Sequence, residues 1–367
     1  MTYPLLPYSQ FVYDLRKILP DAYEGHGFLR FRLCDLDSGH LQQALRQVVR
    51  HHPVFSMHID DNGQTPAPID DELQTQYFRA SFSEDETYGY IELTFNRILM
   101  DGYSFHILKE DLCRAYNNLP LEKDDYTGYL QAFHRHSQSE TYRRHREEMI
   151  ARYANPAYPL HPHPDTPVES DIPSSEETYL ADLHDMGGRI DRIGRKYVLS
   201  SDAVVAAAVI LAITDYNRTN QAAITWAYAD RDSNANARIV GSVHKDIPLT
   251  LPRLDDKEIL FREMRNQMRF GIAHCDYPIT LFSPFNAKWN FAANLIHEPQ
   301  TDFAGYLPLE PFREDEYSFP TYSLFDILIQ DEPCLSLRFR YSATHYKVES
   351  VTRFAGLIRD RLMWLTT

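Results

Sequence analysis

The 367-residue chain is poor in cysteine. Cys34, Cys113, Cys275 and Cys334 stand far apart and form no C-x-x-C pair. That spacing suits reduced, buried thiols in a cytoplasmic protein better than a disulfide framework. No uncharged apolar run reaches the roughly 18 residues of a membrane-spanning helix. The N-terminal MTYPLLPYSQF has no basic stretch followed by an apolar one, so neither a signal peptide nor a membrane anchor is expected. Met1, close to the first motif, is expected to be a natural start. A cationic excess is also missing. With 37 Lys and Arg against 52 Asp and Glu, the net charge is −15. This argues against a nucleic-acid footprint, which needs clustered cations. An acidic protein partner stays open, because docking depends on local patches.

Several familiar devices are absent. There is no period-fixed repeat and no G-x-S-x-G elbow, and MGGRIDRIG does not match a phosphate-cradling loop. His161-Pro162-His163 lies in a proline-rich stretch without nearby cysteine or carboxylate spacing, so a solvated loop is expected there and no metal site anywhere. His51-His52 falls at a helix end, where such side chains suit the exposed carbonyls.

What is present is ample core material, 43% hydrophobic residues, in a length that suits two lobes. Periodicity predicts helices over 9–19, 38–50, 103–117, 126–152, 201–218, 257–273 and 348–365, the second capped by Ser38. Strands are expected at GFLRFRLC, PVFSMHID, YGYIELTFNR, QAAITWAYADR, IVGSVHKDIPLTL, KWNFAANLI and LSLRFRYSA. Six prolines between residues 155 and 177 exclude regular structure and read as a linker or crossover. The expected division is therefore a first lobe at 1–154, a linker at 155–177 and a second lobe at 178–367, each mixing helices and strands in an α/β (α+β) fold.

One stretch stands out: FNRILMDGYSFHIL, residues 95–108, an apolar strand running through a turn into an amphipathic helix. Here Asn96-Arg97-Ile98-Leu99-Met100-Asp101-Gly102-Tyr103-Ser104 resembles the His-His-x-x-x-Asp-Gly signature of nonribosomal peptide synthetase condensation domains, relatives of chloramphenicol acetyltransferase. Other segments follow in that family's order. PLLPYSQFVYDL carries Ser9-Gln10 of the opening motif, and Arg50-His51 matches the next. Asp230-Arg231, Gly241 and Pro248-Leu249 match later motifs, with His244-Lys245-Asp246 in place of the usual Val-Asn-Thr. HCDYPITLF, YSLFDILIQ, LRFRYSATHY and the last helix are similar to the closing segments.

The resemblance implies two acyltransferase-like lobes in a V-shaped pseudo-dimer with a central tunnel. It implies acyl transfer from a carrier-protein thioester to an amine. The phosphopantetheine arm would come with the partner carrier protein, no cofactor would be tightly bound, and the chain would be monomeric. Asp101, Gly102 and Arg231 would be structural, with Arg231 the partner of Asp101 and Gly102 at a turn needing a positive φ or a close backbone approach. Tyr8, Ser9, Gln10, Ser104, Asp276 and Tyr277 would line the tunnel.

The departure from the family pattern lies at the chemical end of the signature. The position of the second histidine holds Arg97, a permanently protonated donor with no acceptor, which excludes general-base catalysis there. Arg97 could serve as a fixed positive donor to an anionic intermediate, with Asn96 beside it. It could instead pair with a carboxylate in a module that no longer reacts and docks carrier proteins or recruits a tailoring enzyme. His106 is expected to be packed or solvated, and His244 is a candidate relocated base. A free-standing CoA-dependent acyltransferase is the remaining alternative.

Overall fold

A computed structural model of the chain describes every residue except 1, 18–19, 21–23, 69–72, 155, 169–175, 232–235, 282–291, 298–306, 312–316, 319–323 and 331–333. Two compact units emerge, and they are not the consecutive halves expected from the sequence. The first comprises residues 1–140, 229–244 and 301–320; the second comprises 141–228, 245–300 and 321–367. Two later stretches of chain thus fold with the first unit: 301–320 supplies two short strands to its sheet, and 229–244 is held by buried charge.

The first unit is built on an antiparallel sheet. Its strands are β1 (Glu24–Arg32), β4 (Phe78–Glu84), β5 (Tyr88–Asn96), β10 (Glu310–Pro311) and β11 (Tyr317–Ser318). The order is β10-β1-β5-β4, with β11 also on β1. Leu29 and Phe31 of β1 and Ile91 and Phe95 of β5 are buried, as period-2 alternation requires. A small hairpin joins β2 (Met57–Asp60) and β3 (Gly63–Pro66). Helices α1 (Pro7–Arg16), α2 (Ser38–His51), α3 (Gly102–Tyr116) and α4 (Tyr126–Ser137) complete the unit. Leu41, Ala44, Leu45, Val48 and Val49 form the buried stripe of α2. Its cap is Asp37, not Ser38: the Asp37 carboxylate accepts the His40 N–H at 2.6 Å.

The second unit begins with α5 (Glu140–Tyr153), so the long charged helix expected at 126–152 is two helices divided at Gln138–Ser139. Its six-stranded mixed sheet runs β6-β13-β12-β9-β7-β8. These are β6 (Glu176–Asp182), β7 (Gln221–Tyr228), β8 (Lys245–Pro252), β9 (Asn294–His297), β12 (Phe325–Gln330) and β13 (Ser336–Ser342). β9 pairs in parallel with both β7 and β12. Helices α6 (Gly187–Tyr197), α7 (Ser201–Asn217), α8 (Lys257–Ala273) and the final α9 (Val348–Thr366) contribute to its core. Every residue of α7 from Ala203 to Thr214 is buried, as its all-round apolar sequence demands. Among the described residues no single helix is long and apolar enough to cross a membrane.

The proline-rich stretch is not a free linker. Pro159 and Leu160 accept backbone N–H groups from Ala223 (3.1 Å) and Ala293 (2.7 Å). The Tyr346 hydroxyl donates to the Pro162 carbonyl at 2.7 Å and lies 3.0 Å from His161 Nδ1. His161 is therefore packed rather than solvated, and burial pushes its pKa down. Proline suits this strap because it contributes carbonyls without N–H groups that would need partners.

The signature loop and its anchors

β5 ends at Asn96, and the chain turns through Arg97–Met100 into α3. Asn96 is 2% exposed, and its side-chain oxygen accepts the Ile98 N–H at 2.9 Å while its carbonyl accepts Leu99 N–H at 3.0 Å. An asparagine that closes its own turn in this way shapes the backbone. It holds the loop. From α1, the Ser9 hydroxyl donates to the Ile98 carbonyl at 2.8 Å, and Ser9 is 1% exposed. Ser9 thus pins the same turn.

Asp101 is the centre of the site. Its Oδ1 accepts Arg231 Nη2 at 2.9 Å and the Ser104 N–H at 3.0 Å, and lies 2.9 Å from Ser104 Oγ. Its Oδ2 accepts Arg231 Nη1 at 2.9 Å and the N–H groups of Val243 and His244, both at 3.1 Å. The contact with the Ser104 N–H also caps α3. Burial works to raise the Asp101 pKa, but the Arg231 guanidinium, His244 and these hydrogen bonds outweigh it and hold it below the usual carboxylate range. A buried carboxylate with both oxygens filled is a scaffold anion and not a proton acceptor. Arg231 is the expected partner, paired bidentately, and it also donates to the carbonyls of Ala229, Ile239 and Gly241. Ser104 is fully buried. Its hydroxyl accepts the Gly241 N–H at 3.0 Å and lies 3.0 Å from the Gly241 carbonyl oxygen. It too belongs to the scaffold. Gly102 departs from expectation: its φ is not positive, and a Cβ built there would meet nothing within 4 Å.

A second buried charge cluster, missed by sequence reasoning, fastens the middle of the same 229–244 stretch, at Arg238 and Val240. His52 is 1% exposed and sits between two carboxylates, with Nδ1 2.8 Å from Asp124 Oδ2 and Nε2 3.1 Å from Asp111 Oδ2. Asp124 also accepts the Val240 N–H at 3.2 Å, and Arg238 bridges Asp111 (2.5 Å) and Glu110. Burial works to lower the His52 pKa, but Asp111 and Asp124 outweigh it, so the ring is held cationic above its ordinary range. His52 is the C-cap residue of α2, and its ring serves as an internal counter-ion. The available signal was Asp111, a carboxylate in the buried stripe of α3 beside Ile107, Leu112 and Ala115. Such a group demands a cationic partner.

The side chains that remain for chemistry form a small group around Tyr8. The His244 ring lies 4.2 Å from the Tyr8 ring, edge to face, and its Nδ1 is 3.9 Å from Asp101 Oδ2. The half-buried Arg97 has its guanidinium carbon 5.7 Å from the Tyr8 ring centre. Gln10 reaches away from this group to Asp14 at 2.9 Å. His106 pairs with Glu110 at 3.5 Å along α3, as a packed surface residue does. Asp276 and Tyr277 belong to the second unit. There Asp276 accepts from His145 Nδ1 at 2.8 Å, and Tyr277 packs on Tyr142. Among the described residues no cluster of three or more His, Cys, Asp or Glu is arranged to hold a metal ion, and no disulfide joins the four cysteines.

This geometry can be set beside known proteins. A family model described as "Condensation domain" matches residues 77–365, a range that takes in the signature turn, Arg231, His244 and the final helix. The fold is similar to the EpoB NRPS cyclization-docking bidomain from Sorangium cellulosum, with TM-score 0.78 and 15% identity over 100% of this chain and 84% of that one. It is equally similar to the epimerization domain from the third module of tyrocidine synthetase B, with TM-score 0.78 and 17% identity over 100% and 97% of the two chains. A complex of the X-domain and OxyB from teicoplanin biosynthesis matches with TM-score 0.75 and 16% identity over 99% and 93%. No curated protein matches the sequence. The chain belongs to the condensation domain family.

Proposed function

We propose that this chain is a condensation-family module of nonribosomal peptide assembly that binds carrier proteins without itself forming the amide bond. One observation carries the reading. The position of the family's second signature histidine holds Arg97, which has no acceptor for a proton. The polar side chains beside it, Asn96, Asp101 and Ser104, are consumed by the turn, by Arg231 and by Gly241. The scaffold half of the signature is kept intact while its proton-accepting half is gone. The phosphopantetheine arm belongs, in this reading, to the carrier.

The test uses donor and acceptor carrier proteins loaded as thioesters. Binding of a carrier without amide product above the uncatalysed rate is the expected result. Product formed by the wild-type chain, and lost on Arg97→Ala, sinks the reading and makes Arg97 an electrostatic donor to the tetrahedral intermediate.

A second reading rests on His244, whose ring stands 3.9 Å from Asp101 Oδ2 and against Tyr8. Here an imidazole from the 229–244 stretch would take the proton that Arg97 cannot. Turnover abolished by His244→Gln but retained in Arg97→Ala distinguishes it from the electrostatic case.

A further inference from the structure

The sheet of the second unit has two unlike faces. Ile327, Ile329, Leu337 and Phe339 belong to the core that α6, α7, α8 and α9 help to build. The alternate residues of each strand point the other way. There β12, β13 and β6 present two rows of three side chains. Strand register sets Asp326, Arg340 and Thr178 abreast, and Leu328, Arg338 and Leu180 abreast in the next row. Neighbouring strands lie about 4.8 Å apart and the two rows about 7 Å apart. Two guanidinium side chains therefore follow one another along β13, the second of them flanked by leucines.

The protein itself uses little of this cationic pair. Arg340 Nη2 donates to Asp326 Oδ2 at 3.2 Å, and the other oxygen of Asp326 accepts from Asn294 Nδ2 at 2.8 Å. Arg340 Nε is buried with no hydrogen-bond partner, a donor that is costly to leave unfilled. Among the described residues Arg338 has neither a hydrogen bond nor an ion pair. Both arginines are half-buried, so an anion beside them is screened less by water than at an open surface. Within the six residues two cations face one carboxylate, and both oxygens of that carboxylate are taken. The other carboxylates of β6 on this face, Glu176 and Asp182, stand one row further out, and Asp182 accepts the His184 N–H at 2.8 Å. Among the described residues β6 is the edge of the sheet. Leu180, at that edge, is 58% exposed. A carboxylate matches the planar fork of a guanidinium, and an aliphatic body attached to it covers Leu180. A bare anion leaves the leucine in water, and a neutral apolar molecule leaves the arginines unpaired.

We propose that this face of β12, β13 and β6 binds a small free carboxylic acid with an aliphatic body, its carboxylate at Arg338 and Arg340 and its chain over Leu180. The experiment titrates octanoate into wild type, Arg338→Gln and Leu180→Asn, followed by calorimetry and by the 13C signal of carboxyl-labelled octanoate. Arg338→Gln leaves the contact between Arg340 and Asp326 in place, and an unchanged circular dichroism melt confirms the fold of both variants. Saturable binding to wild type is expected, weakened about tenfold or more by Arg338→Gln, because a charge-assisted hydrogen bond is lost. Leu180→Asn is expected to weaken octanoate and leave acetate unchanged. No saturable binding by wild type at millimolar octanoate overturns the proposal, as does equal binding by wild type and Arg338→Gln. Acetate or inorganic phosphate that displaces octanoate at equal concentration also overturns it and marks a simple anion site. None of these outcomes touches the carrier-binding reading, which is measured with loaded carrier proteins.

Discussion

Replacing Arg231 tests whether the 229–244 stretch is held to the first unit by buried charge. The Arg231 and Asp101 side chains are 3% and 4% exposed. In Arg231→Ala, Asp101 keeps the N–H donors of Ser104, Val243 and His244 and the Ser104 hydroxyl, but loses its only bidentate cation. The carbonyls of Ile239 and Gly241 lose a donor as well. Removing one partner of a buried pair leaves an uncompensated charge and costs about 3–5 kcal/mol. Arg231→Lys keeps the charge but cannot span both oxygens, and falls between the two. Asp101→Ala strands Arg231 in turn, and the double variant loses both charges together. The double variant is therefore expected to be at least about 2 kcal/mol more stable than the sum of the single losses predicts. Urea denaturation followed by circular dichroism gives the energies, and hydrogen exchange at the Gly241, Val243 and His244 amides shows where the structure opens. Additive single losses, or an Arg231→Ala cost below about 1 kcal/mol, would refute the account. The pair also has a pH signature. The folded pKa of Asp101 is depressed, so its contribution is present above the ordinary carboxylate pKa and is lost only as acid carries the pH down through the folded value. The gap between wild type and Arg231→Ala is thus expected to persist at pH 5 and to close only in stronger acid.

Three further outcomes are expected. His52 titrates in the opposite sense: its folded pKa is raised, so its stabilisation is complete below the unfolded histidine value near 6.5 and fades as pH rises through the folded one; stability measured across that window should decline in wild type and stay flatter in His52→Gln, and identical slopes would count against the internal ion cluster. Val198 holds a left-handed conformation at φ 56° at the end of α6 and is 75% exposed; Val198→Gly relieves about 1–2 kcal/mol of backbone strain against about 0.5–1 kcal/mol of added chain entropy, so a small rise in melting temperature is expected and a fall would contradict it. Gly102→Ala has open space and an ordinary φ in the first turn of α3, so it should be neutral or stabilise by up to about 1 kcal/mol; a marked loss in thermal melts would show that the glycine serves a close approach after all.

Local pattern made much of this molecule legible. The amphipathic stripe of α2, the all-apolar α7 and the alternation of β1 and β5 are one-dimensional signals of which side is buried. The pairing of Asp101 with Arg231 was legible as well, through motif resemblance across 130 positions. The roles of Asn96, Ser9 and Ser104 were not, because each depends on a backbone group brought near only by the fold. His52 illustrates the same limit. In the sequence it is the second of two histidines at a helix end; in the structure it is buried between carboxylates 59 and 72 residues further along the chain.

The sequence by itself determined the family, the elements and the absence of a proton acceptor at position 97, since these follow from side-chain identity and periodicity. Only the tertiary structure decided which stretches fold together. Residues 229–244 join the first unit because isolated buried charges are too costly to leave unpaired. Asp101 needs Arg231, and Asp111 and Asp124 need His52 and Arg238. That requirement is satisfied across 59 to 130 residues of chain, and no local pattern records it.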